Sequence, residues 1–179
     1  MSSRRLFTML TVTLALTTAG CAAGGDGGGA DAVEWTDDVC GALAPFVTAA
    51  SAQPAFDPAD PAGMVRELGI YLGSTASAVQ DSVRGLEAAG PAPVEGGDEY
   101  VDRLTETLTK VGTSFSDAEV RLSGVDTSSA ESVATALPDV VAPLQELGAL
   151  ADPTDGLRST DELRAAADQA PRCQQLRTG

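Results

Sequence analysis

The sequence predicts an all-α protein, an antiparallel bundle of four main helices followed by a short C-terminal helix and closed by one disulfide. Three observations predict this fold class. Apolar residues recur at intervals of three and four over long stretches, which places them on one face of a helix. Capping residues and prolines stand where these stretches begin and end. No stretch alternates between apolar and polar residues for long enough to favour a strand.

Residues 1–20 are typical of an export signal. Arg4 and Arg5 provide a positively charged start, and Leu6–Leu16 is an apolar segment. This segment is too short to cross a bilayer, which requires about 20 apolar residues. We therefore predict that residues 1–20 are a signal peptide that is removed on export.

Four small residues, "TTAG", lead from the apolar segment to Cys21. The pattern resembles the lipobox of bacterial lipoproteins, in which the cysteine receives a diacylglyceryl group on its sulfur and becomes the N-terminus after cleavage. Thr18 departs from that pattern, which more often has an aliphatic residue there. The resemblance implies that Cys21 is lipidated and anchors the chain to the membrane. The alternative is an ordinary secretory signal cut after Ala19, which would leave Cys21 as a thiol.

Residues 21–32 separate this cysteine from the rest of the chain. Ala22–Ala32 contains five glycines and two aspartates, a composition that buries no apolar surface and behaves as a flexible coil spanning about 18 Å. We predict a tether over residues 21–32 and a single helical domain over residues 33–179.

The charge of the chain excludes one class of partner. Without residues 1–20, the chain retains all 26 acidic residues and nine of its 11 basic residues, so its formal charge falls from −15 to −17. Binding to nucleic acid requires the opposite sign. An anionic membrane surface would also repel the chain, so residence at the membrane requires a covalent anchor.

We predict the first helix over Val33–Ser51. Its apolar face carries Trp35, Val39, Leu43 and Val47. Pro45 lies inside this stretch and is expected to bend the helix, because proline removes a backbone donor and clashes with the preceding turn.

The second and third helices have the most regular apolar series. The second series is Met64, Leu68, Leu72, Thr75, Val79, Val83 and Leu86. The third series is Val101, Leu104, Leu108, Val111, Phe115, Ala118, Leu122 and Val125. Asp60 and Pro61 supply a cap and a first-turn residue for the second helix, and Gly90 and Pro91 end it.

Two further helices complete the bundle. The fourth series is Val133, Leu137, Val140, Leu144 and Leu147. A capping box, Ser128–Glu131, begins this helix, and Pro138 and Pro143 predict that it is kinked or divided. A short last helix begins near Ser159 in a second capping box, "STDE", and ends before Pro171.

Residues that could carry catalysis are scarce. The chain contains no histidine and no asparagine, so the commonest general base and the commonest transition-metal ligand are missing. The nucleophile motif GxSxG does not occur. The nearest match to SxxK is "TLTK", Thr107–Lys110, which has threonine at the nucleophile position and which we interpret as a solvent-facing pair. We expect no catalytic residue, no metal and no cofactor, and predict that the protein is not an enzyme.

The acidic clusters have simpler explanations than metal binding. Glu95, Asp98, Glu99 and Asp102 lie where the third helix begins, and carboxylates there offset the positive end of the helix dipole. Asp57–Gly63 and Asp152–Gly156 lack the alternating ligands and the closing glutamate of an EF-hand. We interpret both segments as turns and caps, and a weak site for a hard cation is the alternative.

A ligand site is harder to predict from the sequence. Aromatic residues make up 4% of the chain, too few for a carbohydrate or single-strand stacking platform. Trp35 is expected to anchor the core, with ligand contact as the alternative. Four glycines within the predicted helices, Gly69, Gly73, Gly112 and Gly148, could leave room between helices for a small ligand or lipid.

Two segments carry a loose resemblance to a group of proteins. They are "EWTDDVC", Glu34–Cys40, and "APRCQQL" near the carboxyl end. Together with the signal, they resemble uncharacterised small secreted proteins and lipoproteins of high-GC Gram-positive bacteria. The resemblance implies a location outside the cytoplasm and a helical architecture, but no catalytic or binding residues. The function we expect is an envelope protein-interaction or accessory module, with an unknown envelope protein as partner; the alternative is a small-ligand or lipid-binding bundle.

The number of cysteines predicts a disulfide. Three cysteines in an exported chain leave one unpaired, and lipidation of Cys21 leaves the pair Cys40 and Cys173, which normally closes in an oxidising compartment. The bond would hold a carboxyl terminus that would otherwise fray. The alternative is two buried thiols that do not meet.

Overall fold

The computed structural model describes residues 27–52, 54, 57, 59–147 and 155–178, and all regular structure in these residues is helical. The helices are α1 (Gly27–Ser51), α2 (Pro61–Ala88), α3 (Gly97–Ser123), α4 (Ala130–Leu147), α5 (Asp161–Gln169) and α6 (Pro171–Thr178), with a 3₁₀ helix over Asp155–Arg158. The predicted all-α fold is therefore confirmed.

The start of α1 differs from the sequence prediction. The helix begins at Gly27, six residues before Val33, so it includes the second half of the segment predicted to be a flexible tether. Ala32 is 2% exposed and belongs to the hydrophobic core. Tertiary packing therefore outweighs the low helix propensity of the glycines that precede it.

Pro45 lies inside α1, and the helix continues beyond it to Ser51. Proline clashes with the carbonyl four residues earlier and weakens the ladder of hydrogen bonds around it. The backbone N–H of the next residue, Phe46, donates to Ser82 Oγ at 3.3 Å. Ser82 is fully buried on α2, so the neighbouring helix supplies an acceptor at the place where α1 is weakened.

Helices α1, α2 and α3 run antiparallel in sequence order. Between α1 and α2, Trp35 Nε1 donates to the Gly90 carbonyl at 3.2 Å, and Tyr71 Oη donates to the Ala50 carbonyl at 3.2 Å. The start of α1 therefore lies beside the end of α2. The Tyr71 ring also meets Phe115 of α3 edge to face, with centroids 6.0 Å apart.

One continuous core joins the helices. The stripe on α3 is Tyr100, Leu104, Leu108, Val111, Phe115, Ala118 and Leu122. The stripe on α2 is Leu68, Leu72, Thr75, Ala76, Val79, Ser82 and Leu86. All of the apolar residues of these two stripes belong to the same buried cluster as Val39 and Leu43 of α1 and Leu163 of α5. The interval of three and four residues thus predicted most of both buried faces, but Met64, Val83, Val101 and Val125, which the two series also included, are only partly buried.

The caps agree with the sequence prediction at α2 but not at α4. Asp60 Oδ1 accepts the N–H of Gly63 at 2.8 Å, and Pro61 is the first residue of α2. At α4 the capping hydroxyl belongs to Ser129, which accepts the N–H of Ser132 at 3.0 Å. The predicted cap, Ser128, lies one residue before it.

Ser128 has a different role in the turn before α4. Its backbone N–H donates to Asp126 Oδ1 at 2.8 Å. Hydrogen bonds from Ser128 hold the pKa of the Asp126 carboxyl below its usual value. Beyond this turn, α4 continues as one element across both Pro138 and Pro143, so of the two predicted outcomes, a kink or a division, the helix is not divided.

The C-terminal region contains two short helices where the sequence predicted one. The cap of α5 is Thr160, whose Oγ1 accepts the N–H of Leu163 at 3.1 Å, one residue after the predicted Ser159. Pro171 ends the predicted helix as expected, but it also begins α6. Proline suits the first position of a helix because its fixed φ is helical and its missing N–H would be unpaired there.

Candidate functional site

Cys40 and Cys173, the two cysteines among the described residues, form a disulfide. Cys40 of α1 and Cys173 of α6 have their Sγ atoms 2.00 Å apart and their Cα atoms 5.0 Å apart. Cys40 is 0% exposed and Cys173 is 2% exposed. The predicted pairing is confirmed, and its burial keeps both sulfur atoms away from solutes.

Helix α6 runs beside α1 in the same direction. Pro171 lies near Val33 and Asp37, and later residues of α6 lie further along α1. Leu176 lies beside the segment Ala44–Ser51. The disulfide at Cys173 is therefore one of several contacts between the parallel helices α1 and α6.

An aspartate on α1 caps the start of α6. Ala170, which precedes α6, has no side-chain acceptor, and Pro171 has no N–H. The first free N–H of α6 belongs to Arg172, which donates to Asp37 Oδ1 at 2.7 Å. Asp37 thus replaces the local capping residue that α6 lacks.

The side chain of Arg172 completes this contact. Its guanidinium donates to Asp38 Oδ1 at 2.8 Å, and its Nε lies 3.5 Å from Asp37 Oδ2. The stem of Arg172 crosses α1 at Gly41, where a Cβ would stand 2.7 Å from Arg172 Cδ. Any larger residue at position 41 would displace the arginine.

Sequence analysis did not identify Asp37, Asp38, Gly41 or Arg172. Each lies within three residues of Cys40 or Cys173. Opposite charges beside two cysteines that are predicted to pair could have indicated an ion pair. We refer to the disulfide with these four residues as the α1–α6 junction.

An open groove lies next to the α1–α6 junction. Its volume is about 790 Å³, and its lining residues are Cys40, Gly41, Ala44, Val47, Thr48, Ser51, Arg172, Gln175 and Leu176. The only charged group among them, Arg172, is already paired with two carboxylates. The groove is thus a mixed apolar and polar surface without a free charge to select an anion.

Trp35 is a core residue. It is 6% exposed, and its indole N–H is used in the hydrogen bond to Gly90. A Cβ at Gly97 would approach the indole ring to 3.0 Å. The ring is therefore enclosed between α1 and the turn from α2 to α3, and the interpretation of Trp35 as a core anchor is confirmed.

Two of the glycines within the predicted helices approach neighbouring side chains closely. A Cβ at Gly112 would stand 3.0 Å from Val79 Cγ1, and a Cβ at Gly73 would stand 2.9 Å from Glu119 Oε1. At Gly69, Leu122 is 3.7 Å away, which is an ordinary contact. Gly112 also lines an open groove of about 430 Å³ between α2 and α3. Gly148 lies outside the described residues.

Thr107 and Lys110 lie on the solvent side of α3. Lys110 Nζ donates to Glu106 Oε1 at 2.7 Å, and Thr107 Oγ1 donates to the Arg103 carbonyl at 2.8 Å. The ammonium group of Lys110 holds the pKa of the Glu106 carboxyl below its usual value. The two residues thus have separate partners and share no reactive geometry.

Two further acidic residues close turns, and Glu99 pairs with Arg103 on α3. Asp57 Oδ1 accepts the N–H of Ala59 at 2.9 Å, and Asp98 Oδ1 accepts the N–H of Ala92 at 2.7 Å. Within residues 27–147 and 155–178, as far as they are described, no three metal-ligating side chains are grouped. Residues 152–154 and the predicted lipidation site, Cys21, lie outside the described residues.

The described helices include none with the length and apolarity needed to cross a membrane.

Comparison with known proteins gave no match to a protein-family model, to a curated protein or to a solved structure.

The disulfide is expected to supply a large part of the stability. The double variant Cys40→Ala/Cys173→Ala opens a link between residues 133 positions apart, and loop entropy gives an upper bound of about 4 to 5 kcal/mol for the loss. Urea denaturation should show this loss as a lower midpoint. Cys21→Ala, which keeps the bridge, is the control; an unchanged midpoint in the double variant would contradict the prediction.

The cap on α6 is expected to make its own contribution. Asp37→Ala leaves the Arg172 N–H without its acceptor and should lower the free energy of unfolding by about 1 to 2 kcal/mol. Asp38→Ala is the matched control, since it removes only an ion pair whose carboxylate is 57% exposed, and such pairs contribute less than about 1 kcal/mol. Equal losses in the two variants, measured by denaturation with the disulfide intact, would show that Asp37 does not act as a cap.

Proposed function

We propose that this protein is exported, carries lipid on Cys21, and acts as a protein-interaction or accessory module at the outer face of the cell membrane. The observation that carries the proposal is the buried Cys40–Cys173 disulfide. Structural disulfides persist in oxidising compartments outside the cytoplasm. Because that bond uses two of the three cysteines, the remaining one is Cys21, which follows the lipobox-like sequence "TTAG".

The described residues favour interaction over catalysis. The α1–α6 junction consists of a disulfide, two carboxylates and an arginine that are already paired with one another. Its contacts stabilise the bundle and leave no nucleophile beside a base. A rigid, acidic bundle on a lipid anchor is suited to presenting a surface to another envelope protein.

A second candidate function is binding of a small ligand. The groove of about 790 Å³ beside α6 favours it, because Ala44, Val47 and Leu176 provide apolar surface along one wall and Thr48 and Ser51 provide hydroxyl groups. The groove is open along its length, whereas ligand sites usually enclose most of the ligand. We therefore rank this function below protein interaction.

Lipidation is tested by metabolic labelling with a fatty-acid analogue. Wild-type protein should be labelled and recovered with the membrane, and Cys21→Ser should be unlabelled and released into the medium, because diacylglyceryl transfer requires the thiol. Cys40→Ser/Cys173→Ser is the control for a general effect of lost cysteines and should retain the label. A mature wild-type protein that begins at Gly20 without added mass would contradict the anchor.

Interaction is tested by cross-linking in intact cells, followed by purification from the detergent-solubilised envelope. The control is residues 1–26 fused to an unrelated domain, which shares the anchor but lacks the bundle. We expect at least one envelope protein to be enriched with the full chain and not with the control. If nothing is enriched, and native mass spectrometry shows a co-purified lipid or small molecule, the ligand-binding function replaces this one.

A further inference from the structure

The start of α1 limits how far the domain can lie from a lipid on Cys21. Because α1 begins at Gly27, only residues 22–26 lie between the anchor and the helix. Six Cα-to-Cα steps reach at most about 20 Å when fully extended. If Cys21 is lipidated, as the proposed function requires, the first turn of α1 lies within that distance of the membrane surface.

Two other parts of the chain lie at the same end of the bundle as the start of α1. The turn between α2 and α3 contacts Trp35 through the Gly90 carbonyl. The start of α5 lies beside this turn, since a Cβ at Gly96 would stand 3.5 Å from Thr160 Cγ2. We call the start of α1, the turn over residues 89–97 and the start of α5 the anchor pole.

The opposite pole of the bundle is further from the start of α1 than residues 22–26 can span. Helix α2 has 28 residues, and at 1.5 Å per residue it extends about 40 Å. The far pole consists of the end of α1, the start of α2 and the turn over residues 124–129. The groove beside α6 begins at Cys40, about 20 Å along α1 from Gly27.

The charge of the anchor pole opposes docking onto lipid. Six exposed carboxylates at this pole have no basic partner among the described residues, and they outnumber the one exposed arginine there that lacks an acidic partner among those residues, Arg158. They are Asp31, Glu34, Glu87, Glu95, Asp102 and Glu162. Anionic headgroups repel such a surface within about a Debye length, roughly 8 Å at physiological ionic strength. Because a chain of six Cα-to-Cα steps can reach further than this distance, the pole can remain near the membrane without contact.

We propose that the anchor pole faces the lipid bilayer and that the long helices point away from the membrane. Residues 22–26 hold the domain near the membrane, and the carboxylates of the anchor pole prevent direct contact with anionic headgroups. The far pole and the groove beside α6 then face the aqueous compartment.

The orientation is measured by energy transfer to a fluorescent lipid. An azide-bearing amino acid at position 159 or 127, both exposed, accepts a donor dye without use of a thiol. Position 159 lies at the anchor pole and position 127 at the far pole. The full-length protein is purified from membranes and reconstituted in phosphatidylcholine vesicles with and without phosphatidylglycerol.

We expect strong transfer from position 159 and weak transfer from position 127, because the two positions differ in height by about 40 Å. Phosphatidylglycerol at low ionic strength should weaken transfer from position 159, and added salt should restore it. Equal transfer from both positions, or stronger transfer from position 127, would overturn the orientation. Transfer from position 159 that is insensitive to phosphatidylglycerol would overturn the repulsion.

A failure of the proposed function gives a different result. Protein that does not float with the vesicles lacks the lipid, which contradicts the proposed anchor. In that case the mature chain is coupled through Cys21 to a maleimide-bearing lipid in the same vesicles. The two donor positions then test the orientation by the same criterion.

Discussion

The covalent bond between α1 and α6 is the constraint on which the order of the C-terminal region depends. A helix of eight residues is too short to be stable alone in water. The disulfide fixes Cys173 against Cys40, and this places the N–H of Arg172 next to Asp37 and its guanidinium next to Asp38. Each of these contacts would be weak in isolation. Together they join the last helix to the first.

Much of the fold could be predicted because apolar intervals and capping residues depend only on nearby residues in the sequence. Apolar intervals predicted the buried faces of α2 and α3, and the pair Asp60 and Pro61 predicted the start of α2. The caps of α4 and α5 could not be placed to the residue. In each case two hydroxyl residues are adjacent, Ser128 with Ser129 and Ser159 with Thr160, and either can cap a helix. In the structure the capping residues are Ser129 and Thr160.

The site was only partly predictable for a different reason. Cysteine parity identifies Cys40 and Cys173 without knowledge of the fold. The role of Asp37 depends on a residue 135 positions away, and sequence patterns within one helix carry no information about such a contact. The start of α1 at Gly27 depends in the same way on the burial of Ala32 against the rest of the bundle. Composition alone therefore does not predict that α1 begins at Gly27.

The hydrogen bond between the Phe46 N–H and Ser82 Oγ makes substitutions at positions 45 and 82 depend on each other. Pro45 weakens α1 at this point, and a buried hydroxyl on α2 provides the acceptor. A lineage that lost Pro45 would regain the regular ladder and would retain a buried hydroxyl with no remaining need for it. A lineage that lost Ser82 first would leave a partly buried N–H without this acceptor. We therefore expect related chains that have proline at position 45 to have a small hydroxyl residue at position 82. Chains in which Pro45 has been replaced can still have the hydroxyl residue, whereas chains that keep Pro45 should not have lost it.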